Sequence, residues 1–125
     1  MFEADTVAAR IGMEGEDRVA HYLKSKGYII VKRNYRDRFG ELDIIAERED
    51  EIAFVEVKTR AENALVEGFE AVDSFKQKRL QKTGLLFLQR LHRELNPRFD
   101  VAQVTYYEKP DGSRGWRLCY RKNVF

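Results

Sequence analysis

The chain has 125 residues, of which 43% are hydrophobic and 35% are charged, and its formal net charge at pH 7 is +2. This length suits one domain over residues 1–125, and the apolar content excludes a disordered chain. The net charge is too small to require a nucleic-acid partner, so the distribution of charge along the chain has to indicate one.

In chain order, the first predicted elements are a helix and three strands. Residues 5–26 carry apolar side chains near one helical face, and Gly27 follows as a C-terminal stop. Residues 28–31 form a continuous apolar run that is typical of a buried strand. Residues 41–46 and 52–57 are the next two predicted strands, and they are close enough in sequence to form a hairpin.

The second half of the chain begins with a long connection at 59–72, which has no clear period. Ser74 lies three residues before Gln77, the spacing of a capping box, and apolar residues then recur every three or four positions. This pattern predicts a second helix that ends before Pro97. Two further strands, joined by a turn at Pro110-Asp111-Gly112, are predicted at 99–107 and 115–120. The order α-β-β-β-α-β-β implies an α/β chain of the α+β kind, with helices packed on a mixed sheet.

The sequence also indicates a compartment. Cys119 is the only cysteine, so no disulfide can form within the chain, and a reducing environment is expected. The first residues lack the basic and apolar regions of a signal peptide, and no segment reaches the length of a membrane span. We therefore expect a cytoplasmic protein with no membrane partner.

The predicted hairpin has one preferred register. A four-residue turn at 48–51 places Glu47 opposite Ile52. One face of the hairpin is then wholly apolar, and a one-residue slip would destroy this match. The facing pairs on that side are Leu42 with Val57, Ile44 with Val55, and Ala46 with Ala53.

The other face of the hairpin carries charge, with Asp43 opposite Glu56 and Glu41 opposite Lys58. Like charges across a strand pair repel, and the cost falls if one carboxyl is protonated or a cation lies between them. Carboxylate oxygens suit Mg²⁺ or Mn²⁺, and Lys58 could orient a water towards a phosphate. The alternative is a solvated strand end with a Glu41–Lys58 salt bridge. The apolar run around Glu56 favours the site.

Glu16 is the next unusual acidic residue. It lies three residues before Val19 and seven before Leu23, which puts it on the apolar stripe of the first helix. Two interpretations remain open from the residues alone. The side chain could extend along the stripe to water, or it could point at the hairpin site and act through a metal-bound water.

The ordered set of Glu16, Asp43 and Glu56-Val57-Lys58 resembles the YraN-like family of uncharacterised bacterial proteins. That family is similar to restriction-endonuclease-like nucleases and to archaeal Holliday-junction resolvases. The resemblance covers nearly the whole chain. Its strongest segments are Gly12-Met13-Glu14-Gly15-Glu16-Asp17, Arg33-Asn34-Tyr35-Arg36, Gly40-Glu41-Leu42-Asp43 and Phe54-Val55-Glu56-Val57-Lys58-Thr59-Arg60.

The resemblance implies an αβββαβ core followed by a C-terminal β-hairpin. It implies that Asp43, Glu56 and the backbone carbonyl of Val57 are ligands of Mg²⁺ or Mn²⁺. Lys58 would polarise the attacking water, and Glu16 would match the helix glutamate of resolvase-type sites.

Three further polar residues are less clearly placed. Glu41 and Gln77 are expected beside the metal ligands, although a capping role would also explain Gln77. Asp100 lies in a matching motif, Arg98-Phe99-Asp100-Val101, but no catalytic role is assigned to it, and pairing with Arg98 or an edge position explains it as well.

Basic residues surround the predicted site in sequence. They are Arg33, Arg36 and Arg38 before the hairpin, Arg60 after it, Lys76, Lys78, Arg79 and Lys82 in the second helix, and Arg114, Arg117, Arg121 and Lys122 at the end of the chain. Such clusters around an acidic centre fit contacts with backbone phosphates. Tyr35 and Phe39 could stack on unpaired bases, although Tyr35 could equally pack in the core.

The sequence supports two main hypotheses. The first is a metal-dependent endonuclease that hydrolyses phosphodiester bonds in nucleic acid, with DNA as the expected polymer and structure rather than base sequence as the feature recognised. The second is a nucleic-acid-binding module that does not cut. A third, a protein-interaction role or homodimer, rests only on the surplus of apolar residues at Leu85, Leu86, Phe87 and Leu88.

Overall fold

The computed structural model describes residues 6–63 and 72–125, and these contain two helices and five strands. The elements are α1 (Val7–Ser25), β1 (Ile29–Arg36), β2 (Glu41–Arg48), β3 (Glu51–Ala61), α2 (Ser74–Leu91), β4 (Asn96–Glu108) and β5 (Arg114–Arg121). Their order is the predicted one, and the αβββαβ core with a C-terminal β4–β5 hairpin is confirmed. Most of the predicted connection at 59–72 lies either in β3 or outside the described residues.

The five strands form one mixed sheet in the order β1-β2-β3-β4-β5. The β3–β4 pair is parallel, and the other three pairs are antiparallel. Parallel neighbours need a crossover between them, and α2 lies in that connection. The expected mixed α+β architecture is therefore present, with β3 at the centre.

The core lies on both faces of this sheet. On one face Ile44 and Val55 pack in a cluster with Leu23 of α1. On the other face Phe54 packs in a cluster with Leu80 and Phe87 of α2. Because successive side chains of a strand point to opposite faces, β3 is buried on both sides. Charged residues on β3 therefore stand in apolar surroundings.

Two glycines let the helices approach the central strand closely. A Cβ at Gly15 of α1 would lie 2.4 Å from Thr59 Oγ1. A Cβ at Gly84 of α2 would lie 2.9 Å from the Phe99 ring and 3.0 Å from Phe54. Both helices are thus held against the sheet on either side of β3.

The start of α2 differs by one residue from the prediction. Its N-cap is Asp73, whose side chain accepts from the Lys76 amide at 2.9 Å, and Ser74 is the first helical residue. Gln77 does not complete a capping box. Its side-chain amide donates to the Val72 carbonyl at 2.8 Å. Asp and Ser are about equally good N-caps, so the residue types alone do not decide between Asp73 and Ser74.

The end of α2 is also earlier than its apolar pattern suggested. The helix ends at Leu91, and His92 adopts a left-handed conformation with φ 54°. Pro97 is the second residue of β4 and pairs with Ile52, while the Asn96 amide donates to the Asp50 carbonyl at 2.7 Å. Leu95, which fits the helical spacing, lies instead in the loop after α2 and packs against the cluster that contains Phe54 and Phe87.

Most of the apolar surplus of α2 is used in the core. Phe87 is buried, Leu86 and Leu88 are half-buried, and Leu85 is 49% exposed. One leucine is a weak basis for a dimer interface. Within residues 6–63 and 72–125, neither helix is long and apolar enough to cross a membrane.

The predicted register of the β2–β3 hairpin is confirmed near the turn. Ile44 pairs with Val55, Ala46 with Ala53, and Arg48 with Glu51, which leaves a two-residue turn. The ladder stops at Ile44, however, and the predicted pairs Asp43–Glu56, Glu41–Lys58 and Leu42–Val57 do not form.

Leu42 explains part of that difference. It was expected on the same face as Ile44, but it packs in the cluster with α2, whereas Ile44 packs in the cluster with α1. Alternation along β2 is therefore broken at Asp43. The amide of Val57 donates to Asp43 Oδ2 at 2.7 Å, so a side-chain carboxylate takes the place of a strand partner. The two strands separate where the acidic residues lie.

Candidate active site

Asp43 and Glu56 lie together where β2 and β3 separate. They line one pocket of about 290 Å³. Glu56 is only 8% exposed, and Asp43 is half-buried. The remainder of the wall comes from the loop before β2 and the first turns of α2, through Gly40, Glu41, Lys76 and Arg79. Two predicted metal ligands are thus adjacent in a solvent-accessible recess.

The electrostatics of this pair are unusual. Burial and then the charge of Glu56 raise the pKa of Asp43 to about 7, although the Val57 amide opposes the shift. The carboxylate of Glu16 also raises the pKa of Asp43, so α1 contributes to the same field. Near neutral pH the pair therefore gains from either a proton or a cation.

Lys76 supplies a cation to the pair. Its Nζ donates to Glu56 Oε1 at 2.5 Å, and it reaches the site from the first turn of α2. The sequence pointed to Lys76 only as a phosphate-binding residue. The 20-residue separation hid the contact, and the lone signal was the place of Lys76 at the start of the helix beside the site.

Glu16 is held at the edge of the site by Arg33. The Nε and Nη2 atoms of Arg33 both lie 3.1 Å from Glu16 Oε1, and Nη2 lies 2.7 Å from Asp17 Oδ1. Burial raises the pKa of Glu16, while Arg33 opposes the shift. Glu16 therefore does not extend freely to water. Arg33, which the sequence predicts to contact phosphate, forms ion pairs with Glu16 and Asp17.

Asn34 is a site residue that the sequence did not single out. Its side chain hydrogen-bonds Glu16 and lowers the pKa of that carboxyl. Its backbone is left-handed, with φ 54°, in the part of β1 that pairs with the first residues of β2. Asparagine tolerates this conformation better than most residues. The Arg33-Asn34 segment of the family resemblance was the available signal.

Lys58 lies on β3 two residues after Glu56 and is 8% exposed. The continuous β3–β4 ladder keeps the strand regular, so alternation places Lys58 on the face of Glu56, as predicted. At the rim of the pocket, Arg36 donates from Nη2 to Glu41 Oε2 at 3.1 Å. Gln77, bound to the Val72 carbonyl, contacts neither carboxylate in the described contacts.

The carboxylates fit a small divalent cation. No group of three His, Cys, Asp or Glu side chains in residues 6–63 and 72–125 is arranged to bind a metal. Mg²⁺, however, commonly uses only one or two carboxylates and keeps several waters. The ammonium of Lys76 contacts the Glu56 carboxylate. Burial and the charge of Glu56 raise the pKa of Asp43. Both observations indicate a site that attracts positive charge.

A family model described as an uncharacterised protein family, UPF0102, matches residues 15–104. The chain belongs to UPF0102. The YraN-like resemblance of the sequence is thereby confirmed. The matched segment spans Glu16, Asp43, Glu56, Lys58 and Lys76.

Curated UPF0102 relatives cover almost the same length as this chain. The protein of Alkaliphilus oremlandii is 46% identical over 119 residues, which are 93% of this chain and 97% of the relative. That of Symbiobacterium thermophilum is 42% identical over 120 residues, 95% and 98% of the two chains. That of Syntrophus aciditrophicus is 45% identical over 106 residues, 84% and 82%.

The basic residues of this UPF0102 chain fall into two groups. In the first, side chains are bound to acids: Arg36 to Glu41, Arg33 to Glu16 and Asp17, Lys76 to Glu56, Arg114 to Glu14 and Arg117 to Glu62. In the second, they border aromatic rings near the pocket: Arg38 and Lys82 at Phe39, and Arg79 at Phe75. Lys78 is exposed, and Arg60 donates to the Thr59 carbonyl at 2.9 Å.

Tyr35 is not available for base stacking. Its ring packs edge-on against Phe87 with centroids 5.0 Å apart, and its hydroxyl accepts from Arg90 at 3.1 Å. The alternative that Tyr35 packs in the core is therefore the observed one.

Asp100 belongs to a separate buried network. Arg98 Nε donates to both of its carboxylate oxygens, at 2.9 and 3.0 Å, and the Tyr120 hydroxyl donates at 2.6 Å. The Asn123 amide adds a bond of 2.8 Å. Asp100 is fully buried, and its carboxylate is neutralised by Arg98. Of the two explanations for this residue, pairing with Arg98 is the observed one.

Proposed function

We propose that the chain is a metal-dependent endonuclease that hydrolyses phosphodiester bonds in nucleic acid, with DNA as the expected substrate. The observation that carries the proposal is the pairing of Asp43 and Glu56 in one pocket, where the pKa of Asp43 is raised to about 7. A charge arrangement of this kind in a cleft is typical of functional sites. Glu56 and Lys58, on one face of the same strand, supply an acid and an amine together.

Asp43, Glu56 and the carbonyl of Val57 would hold Mg²⁺ or Mn²⁺. When bound, the ion supplies positive charge for the phosphate and makes a neighbouring water more acidic. The amide of Val57 donates to Asp43 Oδ2, and this bond would hold the carboxylate in position for the ion. Glu16 contributes through a water, since Arg33 already binds its Oε1.

Lys58 would orient and polarise the attacking water. A buried ammonium acts more strongly on a water than an exposed one, because the surrounding dielectric is low. Lys76 has a second proposed role. With a metal ion held by Glu56, the Lys76 ammonium would be able to contact a non-bridging phosphate oxygen and stabilise the charge that develops there.

The charge around the pocket supports a polyanionic partner recognised by shape. Arg38, Arg79 and Lys82 lie beside the pocket on the loop before β2 and on α2. The described helices pack on the sheet with their apolar faces, and we assign neither to a DNA groove. We expect the protein in the cytoplasm with its substrate. A homodimer remains a prediction that rests on Leu85 alone.

A second candidate is a nucleic-acid-binding module that does not cut. The Lys76–Glu56 contact favours it, because an internal cation can satisfy the acidic pair permanently. In that case the pocket would be an ion-paired structural feature beside a phosphate-binding surface.

Cation binding separates the two candidates. We would titrate Mn²⁺ and Mg²⁺ by calorimetry into the wild type, Asp43→Asn and Glu56→Gln, with Glu94→Gln as an exposed control. The side-chain carbonyl of the substituted asparagine can still accept from the Val57 amide, so the fold should persist. The nuclease proposal requires binding that both site variants lose and the control keeps, and cleavage of labelled branched or single-stranded DNA that follows the same pattern.

Two results would contradict the nuclease proposal or its site residues. Wild-type protein that cuts no substrate with either ion, yet binds DNA equally well with and without the ion, would support the binding module. Unchanged cleavage in both site variants would show that Asp43 and Glu56 are not the catalytic acids.

A further inference from the structure

Phe75 is an exposed aromatic ring beside the acidic pocket. It is the second residue of α2, and 70% of its surface is accessible. Helix starts favour small polar or acidic residues. Because the Phe75 ring is exposed, it also adds little to the hydrophobic stabilisation of the core. Phe75 lines a groove of about 490 Å³, and Gly40, Glu41 and Arg79 line both this groove and the acidic pocket. The ring therefore stands on a surface continuous with the proposed site.

The groove also carries positive charge held in place by aromatic contacts. Arg79 Cζ lies 5.8 Å from the centroid of the Phe75 ring. Arg38 Cζ lies 4.9 Å from the ring of Phe39, and both residues also line the groove. Lys82 Nζ lies 3.9 Å from the same ring, in the adjoining pocket that shares Arg38 and Phe39 with the groove. Cation–π contacts position these groups without neutralising them. Phe39, which the sequence suggested as a stacking ring, is covered by its own cations.

The loop that contains Arg38 and Phe39 is anchored to α2. Asp37 Oδ1 accepts from the amides of Phe39 and Gly40, at 2.8 and 3.0 Å, and from the Thr83 hydroxyl at 3.1 Å. A Cβ at Gly40 would lie 3.1 Å from Thr83 Oγ1, so the loop packs tightly on the helix. The two walls of the groove are therefore held in fixed positions relative to each other.

We propose that this groove binds an unpaired nucleotide next to the phosphate that enters the acidic pocket. Phe75 stacks on the base, while Arg38, Arg79 and Lys82 contact the flanking phosphates. An exposed ring can stack only on a base whose face is uncovered, and duplex bases are covered by their neighbours. The inference rests on the proposed function and names its substrate class: nucleic acid with a single-stranded segment, such as a flap or a branch, cut beside the unpaired bases.

The test measures binding without cleavage, so that it does not depend on the nuclease proposal. Fluorescence anisotropy in EDTA would compare labelled single-stranded, flapped and fully duplex DNA for wild type, Phe75→Ala and Phe75→Trp. Leu85→Ala, which removes another exposed apolar side chain of α2, is the control. We expect Phe75→Ala to weaken single-stranded and flap binding about tenfold, the size of effect that stacking on one base produces, with duplex binding within about twofold of wild type.

A second readout is direct. Trp116 is the only tryptophan, so the wild type gives the fluorescence baseline. In Phe75→Trp, tryptophan emission should be quenched by single-stranded DNA and affinity should return to at least the wild-type value. Quenching in Phe75→Trp would support the groove even if Asp43→Asn loses cleavage. If Phe75→Trp binds single-stranded DNA without quenching of its tryptophan emission, the inference is overturned.

Two other outcomes would also overturn the inference. One is an equal loss of duplex and single-stranded binding in Phe75→Ala. The other is wild-type self-association in sedimentation that Phe75→Ala abolishes while DNA binding is unchanged, which would assign the ring to a second copy of the chain.

Discussion

Lys76 Nζ donates to Glu56 Oε1 at 2.5 Å, so the positive charge that the acidic pair requires comes from α2. This contact predicts competition between the ammonium and a metal ion for one carboxylate. The Lys76→Met variant should bind Mn²⁺ about tenfold more tightly, a change of about 1.4 kcal/mol in binding free energy. Calorimetry at about pH 8, above the raised pKa of Asp43, measures it directly.

Lys78→Met is the matched control, because it removes the same charge from an exposed position two residues away. If both variants tighten Mn²⁺ binding equally, the effect comes from net charge, and the contact with Glu56 does not compete with the ion.

Asp43 predicts a characteristic dependence of stability on pH. Its pKa is raised from 3.8 to about 7 in the fold, so between these values the folded chain holds a proton that the unfolded chain has lost. Stability from this group is therefore fully present below about pH 4 and falls as pH rises to about 7. The loss is at most about 4 kcal/mol, since one pKa unit corresponds to about 1.36 kcal/mol.

Urea denaturation in EDTA between about pH 4 and pH 8 measures this loss. We expect Asp43→Asn to remove most of the fall, and Asp50→Asn, in the exposed hairpin turn, to keep it. A wild-type profile that is flat between about pH 5 and pH 7 would contradict the raised pKa of Asp43.

Arg33 is predicted to position Glu16 and not to bind phosphate. Its guanidinium lowers the pKa of Glu16, so Arg33→Gln should raise that pKa and move the acidic limb of the cleavage profile to higher pH. We expect a fall in kcat of about tenfold with KM almost unchanged. Steady-state kinetics across pH would provide both values. A raised KM with an unmoved pH profile would return Arg33 to the phosphate-binding role suggested by sequence.

Gly84 is predicted to be required for packing of α2. A methyl group at this position would lie 2.9 Å from Phe99 and 3.0 Å from Phe54, so Gly84→Ala should destabilise the fold by about 1–3 kcal/mol. Gly12→Ala is the control, because no atom lies within 4 Å of the place its added methyl group would take, and it should stabilise α1 by up to about 1 kcal/mol. Urea midpoints measure both changes. Equal effects would contradict the close approach of α2.

Residue pattern alone predicted the parts of this fold that depend on period. Alternation placed Ile44 opposite Val55 and Ala46 opposite Ala53, because a slip would bury charge. It failed at Leu42, since the β2–β3 ladder ends at Ile44 and alternation carries no information beyond the last pair. The start of α2 was misplaced by one residue because Asp73 and Ser74 are both good N-caps, and their residue types do not distinguish them.

The site was predictable only in part. Asp43, Glu56 and Lys58 are close in sequence, so a hairpin register brings them near one another. The partners of these acids are distant from them in sequence. The contacts Lys76–Glu56 and Arg33–Glu16 join different elements, and both depend on how far a long side chain reaches after the helices have packed. Charge patterns indicated that these cations lie near the site, but could not distinguish an internal partner from a phosphate ligand.

The bond from the Val57 amide to Asp43 has a consequence for comparing relatives of this chain. A buried amide needs an acceptor whether or not the protein is an enzyme, so an Asp or Asn at position 43 would be retained for folding even in a chain that had ceased to cut. No backbone group in the described contacts makes that demand of the Glu56 side chain. If the proposed function holds, a relative that has exchanged Glu56 for an apolar residue while keeping Asp43 would keep the fold and lose the proposed metal site, so position 56 is the more informative marker of that function.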